Sequence, residues 1–319
     1  MRVLELYAGI GGCAVALDAT DARIVAAVEQ SRVALDVYRA NFPHHPTIAR
    51  RVDDLGHDEL ESLGADLWWA SPPCQPFTVR GRRRDLDDPR AETFLALLRG
   101  LEAVRPRAFV LENVAGFVDS RAHARLLEVL ERSGYLDVEQ HLLCPSSLGW
   151  PNRRPRVYIV ASRTPLPSTV QLDDTGSPSR TRLADLIDET PRTPALSMRL
   201  EPALARRYAS ALHLVERDDD AAVTTCFTAA YGRSPVRSGS YLLERSVGGE
   251  STPRHFSPAE VLRLLGFPAD FELLTTLARR KAWHLAGNSL SVPAVRAVLS
   301  RLPALTEQLA LPRRVAPTA

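Results

Sequence analysis

Short runs of β-forming apolar residues alternate with amphipathic helical patterns through the first half of the chain, and this rhythm constrains the fold more than any other feature. The runs are Val3 to Leu6, Ile24 to Val28, Leu67 to Ala70, Ala108 to Leu111, about Leu136 to Leu143, and Val157 to Ala161. Between them, apolar residues recur at three- and four-residue spacing near Cys13 to Leu17, Ala34 to Asn41, Asp58 to Leu63, Ala91 to Val104 and Ala122 to Arg132. The pattern predicts an α/β fold in which a parallel, Rossmann-like sheet is wound with helices on both faces. After Ser162 the rhythm is lost. Pro165, Pro167, Pro178, Pro191, Pro194 and Pro202 arrive with many Ser and Thr, so a second, smaller region is expected over about 163–253. Helical periodicity returns at Ser257, where Ser257, Pro258 and Glu260 form a credible helix start of cap, first-position proline and capping-box acid.

At 319 residues the chain is long enough to bury a sizeable core without staples. Its 40 basic and 38 acidic side chains nearly cancel, so a nucleic-acid footprint must be local. Only Lys281 among the basic residues is lysine, a bias that makes arginine motifs less informative here than elsewhere. No run approaches the ~18 apolar residues of a membrane span, and MRVLEL lacks the parts of a signal peptide, so a cytoplasmic protein is expected. Cys13, Cys74, Cys144 and Cys226 are scattered singly, which points to neither a metal cage nor a disulfide framework.

Several words carry chemistry. The first strand runs into Tyr7-Ala8-Gly9-Ile10-Gly11-Gly12 and then a helix, so backbone amides and glycines sit at the carboxyl end of a strand. Glu29 ends the next strand, 17 residues after Gly12, where a carboxylate can accept hydrogen bonds from ribose hydroxyls. Dinucleotides and S-adenosylmethionine (SAM) both fit this turn, as does a glycine turn with only geometric purpose. The strand Leu67 to Ala70 leads into Ser71-Pro72-Pro73-Cys74-Gln75-Pro76-Phe77-Thr78. A thiol held at a proline-stiffened strand end is a candidate nucleophile, and the alternative is a buried filler cysteine. Glu112 at the end of the next strand is either a carboxyl that hydrogen-bonds a base or a loop carboxylate. Arg154 and Arg156 stand two apart ahead of Val157, so an extended backbone would aim both at one face, suited to a base oxygen and a neighbouring phosphate or carboxylate.

Taken in order, ELYAGIGG, SPPCQPF, LENVAGF, NRRPR, RHFSPAEVLRLLGFP and LAGNSL resemble the motifs of the cytosine carbon-5 methyltransferase family, over Met1 to about Arg301. The resemblance implies a SAM site formed by Tyr7, Gly9, Ile10, Gly11, Gly12, Glu29 and Asp54, closed by Asn288 and Ser289. It implies Cys74 as the nucleophile at cytosine carbon 6, Glu112 at the ring nitrogen and exocyclic amine, Arg156 at the carbonyl oxygen, and Arg154 in support of that face. It also implies that the last helices rejoin the first domain, giving a catalytic domain of 1–162 plus 254–319 and a target-recognition domain of 163–253.

Within the family the chain most resembles the type-2 DNA-methyltransferase homologue branch, which methylates an anticodon-loop cytosine of aspartate tRNA. The words that carry this are LELYAGIGG, SPPCQPFT with Arg80, Gly81 and Arg82, the PNxRxR form, and Cys226-Phe227-Thr228 with Tyr231-Gly232. By that resemblance Cys226, Phe227 and Thr228 touch substrate. Arg80, Arg82, Arg83 and Arg84 form a basic loop beside Cys74, suited to phosphates, although Asp85, Asp87 and Asp88 could balance it. The chain departs from the branch at Ala229-Ala230, where a basic residue is usual, and at His255 and Ser257. The expected partner is tRNA, with tRNA-Asp foremost, and the expected state is a monomer. Duplex DNA as substrate and a catalytically silent binding relative are the alternatives.

Overall fold

The computed structural model describes residues 1–73, 85–88, 91–168, 172, 181–188, 198–245 and 251–309. They divide into two compact units: 1–143, 155–176 and 294–319 in the first, 144–154 and 177–293 in the second.

The first unit is built on β1 (Arg2–Leu6), β2 (Arg23–Val28), β3 (Thr47–Ile48), β4 (Leu67–Ala70), β5 (Ala108–Val114), β6 (Asp137–Leu143) and β7 (Arg156–Ser162). They form one seven-stranded sheet of order β3-β2-β1-β4-β5-β7-β6. The strands from β3 to β5 are parallel, whereas β7 runs antiparallel to both β5 and β6. The fold is therefore mixed α/β, and the wholly parallel sheet expected from the rhythm stops at β5. The reason is the connection. No α-helix separates β6 from β7, and a parallel pair would need a long crossover where an antiparallel pair does not.

The helices of this unit start where the sequence gives the chain a cap. In α2 (Arg32–Asn41) Ser31 accepts from the Ala34 amide at 3.3 Å, and in α5 (Arg121–Arg132) Ser120 accepts from His123 at 3.1 Å. With α3 (His57–Ser62) and α4 (Glu92–Val104), α5 covers one face of the sheet: Leu60, Phe94, Leu98, Leu126 and Val129 pack on Leu4, Leu6, Trp68, Phe109 and Ile159. Residues alternate across a strand, so Glu5 points to the opposite face. There its carboxyl meets α1 (Gly12–Leu17), whose six residues are all buried, and α2. The C-terminal α9 (Val292–Leu299) and α10 (Pro303–Leu309) reach this region through Arg296, which donates to the Ala16 carbonyl, and Gln308, which accepts from the Asp21 amide.

The second unit carries a three-stranded sheet of order β10-β9-β8, made of β8 (Leu214–Glu216), β9 (Tyr241–Arg245) and β10 (Ser251–His255), and the helices α6 (Pro202–Arg207), α7 (Pro258–Leu264) and α8 (Arg279–Gly287). An aromatic cluster of Phe227, Tyr231, Phe256 and Trp283 forms its core. The Tyr231 hydroxyl donates to the Ser240 carbonyl and accepts from the Phe256 amide, joining distant segments. The helix start expected at Ser257 is present in full, with Ser257 Oγ accepting from the Glu260 amide and Glu260 accepting from the Ser257 amide. These units do not follow the boundaries drawn from composition. Residues 144–154 leave the first unit, and 254–293 pack with the second, so only the chain from Ala294 rejoins the sheet. Composition marked where the prolines begin, but packing is decided by where Phe256, ahead of α7, and Trp283 of α8 find partners.

Candidate active site

The turn after β1 is shaped by three residues in the left-handed region: Tyr7 at φ 58°, Gly9 at φ 56° and Gly11 at φ 95°. Two of these glycine and tyrosine positions do different work. A Cβ on Gly11 would lie 2.7 Å from Phe42 and 3.0 Å from Tyr38, so Gly11 is needed for close packing against α2. A Cβ on Gly9 would meet nothing within 4 Å. The backbone at Gly9 therefore faces open space, as a ligand cradle requires. Ile10 is buried, and Gly12 opens the buried helix α1.

Glu29, directly after β2, accepts from the Gly9 amide at 3.1 Å and from the Ser31 amide at 2.8 Å. One carboxylate thus fixes the turn and the start of α2, and each oxygen retains a lone pair for a hydroxyl. The Tyr7 phenol donates to the Thr93 carbonyl at 2.9 Å, and its burial pushes its pKa up. Beside it Arg51 forks onto Asp53 at 2.6 Å, holding that carboxyl below the usual range. Asp54, the residue singled out in the sequence, is exposed, and Asp53 is the one tied into this group. Thr93 and Asp53 carried no sequence signal, because their role depends on where α4 crosses the turn.

Behind the turn, Glu5 is fully buried. It accepts from the Cys13 amide at 3.2 Å and lies 3.0 Å from the Tyr38 hydroxyl, which in turn lies 3.1 Å from His45 Nδ1. Desolvation raises the Glu5 pKa from 4.5 to about 8.

The second part of the site lies at the ends of β4 and β5. Cys74 and Arg80, Arg82, Arg83 and Arg84 lie outside the described residues. What flanks them is clear. Trp69 Nε1 donates to Ser71 Oγ at 2.9 Å, and the buried Asn113 donates its side-chain amide to the Pro72 carbonyl at 3.4 Å while accepting from the Val114 amide. Asn113 thus holds the residues that lead to Cys74, a role that was missed although the word LENV contains it. Downstream, Asp85 accepts from the Arg121 and Ala122 amides at the start of α5, and Asp87 pairs with the Arg121 side chain at 2.6 Å. Two of the three acids that might have balanced the basic loop have these partners.

One residue before Asn113, Glu112 meets Arg156 across the β5–β7 ladder, Oε1 to Nε at 3.1 Å, with both side chains mostly buried. The sequence expectation placed Arg154 and Arg156 on one face, but β7 begins only at Arg156, and alternation does not extend through Pro155. The Arg154 guanidinium is buried in the second unit, donating to the carbonyls of Phe227 at 2.9 Å, Gly287 at 3.2 Å and Ser289 at 2.5 Å.

The same clamp reaches further residues named from the sequence. Phe227 is fully buried, so its side chain packs in the aromatic core and offers no substrate surface. Cys226 accepts a long contact from Arg154 at 3.4 Å, and Thr228 Oγ1 accepts from the Ala230 amide. Ser289 donates to the Leu285 carbonyl, while the exposed Asn288 contacts His284; both belong to the second unit. A Cβ on Gly287 would fall 2.3 Å from the Thr228 carbonyl carbon, so the AGNS and CFT words are locked together by packing.

A glycine turn open at Gly9, a carboxylate at the end of the second strand and a carboxylate–guanidinium pair two strands away define an α/β enzyme that works at the carboxyl edge of its sheet. The model of the family C-5 cytosine-specific DNA methylase matches residues 1–304, and the chain belongs to this family of cytosine carbon-5 methyltransferases. Its members depend on SAM, and Gly9 with Glu29 fits such a cofactor. Among similar proteins, the tRNA (cytosine(38)-C(5))-methyltransferase of Schizosaccharomyces pombe is 32% identical, covering 95% of this chain and 96% of that protein. The protein of the same name from Spodoptera frugiperda is 29% identical over 94% of this chain and 98% of its own length. The crystal structure of the S. pombe Dnmt2 methyltransferase superposes with a TM-score of 0.82 at 29% identity, covering 98% of this chain and all of that one. Among the described residues no helix is long and apolar enough to cross a membrane.

Proposed function

We propose that this chain methylates carbon 5 of a cytosine in tRNA, with the anticodon-loop cytosine of aspartate tRNA as the acceptor, and that it acts in the cytoplasm. The observation that supports tRNA is the end-to-end similarity to proteins named for tRNA methylation.

Cytosine carbon 5 is a poor nucleophile. Cys74 adds as thiolate to carbon 6, forming a sulfur–carbon bond and moving electron density onto carbon 5. Glu112 holds the ring nitrogen and exocyclic amine as charge shifts into the ring, and Arg156, already paired with Glu112, holds the carbonyl oxygen. SAM, when bound, supplies the methyl group. Tyr7, Gly9 and Glu29 would hold it, with Glu29 free to accept from ribose hydroxyls and Asp53 in place of Asp54 as the acid at that rim. The proton on carbon 5 then passes to a base or water, the sulfur–carbon bond breaks, and Cys74 leaves as thiolate. Asn113 acts as a positioning residue for the Cys74 loop. Because the ring is reached from its face, the target base must be unpaired or flipped out. Arg80, Arg82, Arg83 and Arg84 serve the phosphates around it.

The test is transfer of labelled methyl from SAM to total tRNA, to transcribed aspartate tRNA and to duplex DNA, each with wild type and Cys74→Ala. Label in tRNA that falls at least about a thousandfold with Cys74→Ala is the expected result. Label confined to DNA overturns the substrate assignment and returns the chain to the DNA reading that the family description carries. Equal label with Cys74→Ala overturns the covalent mechanism.

A further inference from the structure

β6 is the edge of the large sheet, and it is long and regular for an edge strand. It is seven residues long, pairs with β7 without a register shift, and contains no proline or lysine. Its outer face is apolar where an edge is normally polar. Leu142 is 66% exposed, Val138 41%, and Leu136, just before the strand, 68%.

We propose that β6 pairs antiparallel with β6 of a second copy of the chain, about a two-fold axis at Gln140, so that two sheets join into one. Residues 138–142 are self-complementary in that register, and Asp137 falls opposite Leu143. Gln140 meets Gln140, Val138 meets Leu142, and Glu139 meets His141 of the partner, so apolar side chains pair with apolar ones and a carboxylate pairs with an imidazole. On the face of Glu139 and His141 the two groups already bond at 2.9 Å within one chain, and Arg301 forks onto Glu139 at 2.8 and 2.7 Å. The dimer therefore sets acids, imidazoles and guanidiniums in alternation. A slip of one residue would move Val138 from Leu142 to His141 or to Leu143 of the partner strand. Four strand spacings, about 19 Å, separate β6 from β1, so pairing leaves the glycine turn free. This arrangement replaces the monomer expected from the family resemblance.

The full-length protein would be measured by sedimentation from low to high micromolar concentration. Wild type is expected to shift from monomer to dimer, and Leu142→Asp to weaken association at least about tenfold, since symmetry removes two cross-strand pairs at once. A constant monomer mass for wild type, or an unchanged dimer for Leu142→Asp, overturns the proposal. The register is tested with single cysteines. Directly opposed residues of an antiparallel pair have Cα atoms roughly 4.5–5.5 Å apart, within disulfide reach, so Gln140→Cys should cross-link to itself under mild oxidation. Val138→Cys should not, because its own mate lies about four residues away along the partner strand, roughly 14 Å. Equal cross-linking of both variants overturns the two-fold at Gln140. Methyl transfer, measured alongside, reports on the proposed function independently of either outcome.

Discussion

The two units put their buried polar side chains to different use. In the sheet unit Glu5, Glu112 and Asn113 are each placed by a regular strand next to a loop at the carboxyl edge, and the buried Arg301 forks onto Glu139. In the second unit Arg154 and Arg254 are buried together with Glu260. Arg154 donates to three backbone carbonyls, and Arg254 donates to the His255 carbonyl and to Glu260 at 2.8 and 2.9 Å. The difference follows from backbone accounting. A seven-stranded ladder satisfies its own amides and carbonyls, which leaves polar side chains available for chemistry. A unit with three short strands and long irregular segments leaves carbonyls in its interior, and guanidiniums with several donors are the economical way to satisfy them.

If this division is right, Glu112→Gln should damage catalysis and spare the fold. We expect methyl transfer to fall about 10²–10³-fold, the usual loss when one charge-stabilising group is removed, with a thermal midpoint within about 2 °C of wild type because the amide still accepts from Arg156. Steady-state methylation and a melting curve on the same preparation decide it. A large drop in the midpoint with normal turnover would put Glu112 on the structural side.

Arg154→Met reverses the expectation. It keeps the length of the side chain and strips the donors from the carbonyls of Phe227, Gly287 and Ser289, so chemical denaturation should show a loss of about 3 kcal/mol. Turnover per folded molecule at low temperature should stay within about twofold. A hundredfold loss in fully folded protein would return Arg154 to the substrate and erase the contrast between the units.

What was readable in the sequence divides along the same line. Six of the seven strands of the large sheet and its helices announce themselves by periodicity, because burial on both faces of a sheet demands apolar runs. The seventh, β3, has two residues and no pattern. None of β8, β9 and β10 was legible: they are short, and β10 contains Pro253, tolerated because β10 is an edge strand. At the site, Gly9 and Glu29 were legible as a turn and an acid at strand ends. The roles of Asn113, Asp53 and Thr93 rest on contacts across 41 and more residues of chain or on helix placement, which no local pattern encodes. Arg154 was misplaced for a related reason. A spacing of two specifies one face only inside a strand, and β7 had not yet begun.

The smallest expected effect probes the one buried acid of the sheet unit that sits behind the glycine turn. Glu5 has its pKa raised to about 8 in the fold against 4.5 unfolded, so between those values the folded chain keeps a proton that the unfolded chain gives up. Stability from this group is therefore complete below about 4.5 and is lost as pH rises toward about 8. The Tyr38 hydroxyl donates to Glu5 Oε2 and lies 3.1 Å from His45 Nδ1, whose own pKa is lowered by burial. Glu5→Gln copies the neutral state of the Glu5 carboxyl. Between pH 6 and 8 the wild type should lose roughly 2 kcal/mol relative to Glu5→Gln, followed by denaturant midpoints at each pH. The ionised form would also draw harder on the Cys13 amide at the start of α1, so SAM affinity of the wild type, and not of Glu5→Gln, should change over the same window. Parallel pH curves for the two proteins would mean that Glu5 is already ionised at pH 6, and the buried acids of the sheet unit would then need a cation that the sheet itself does not supply.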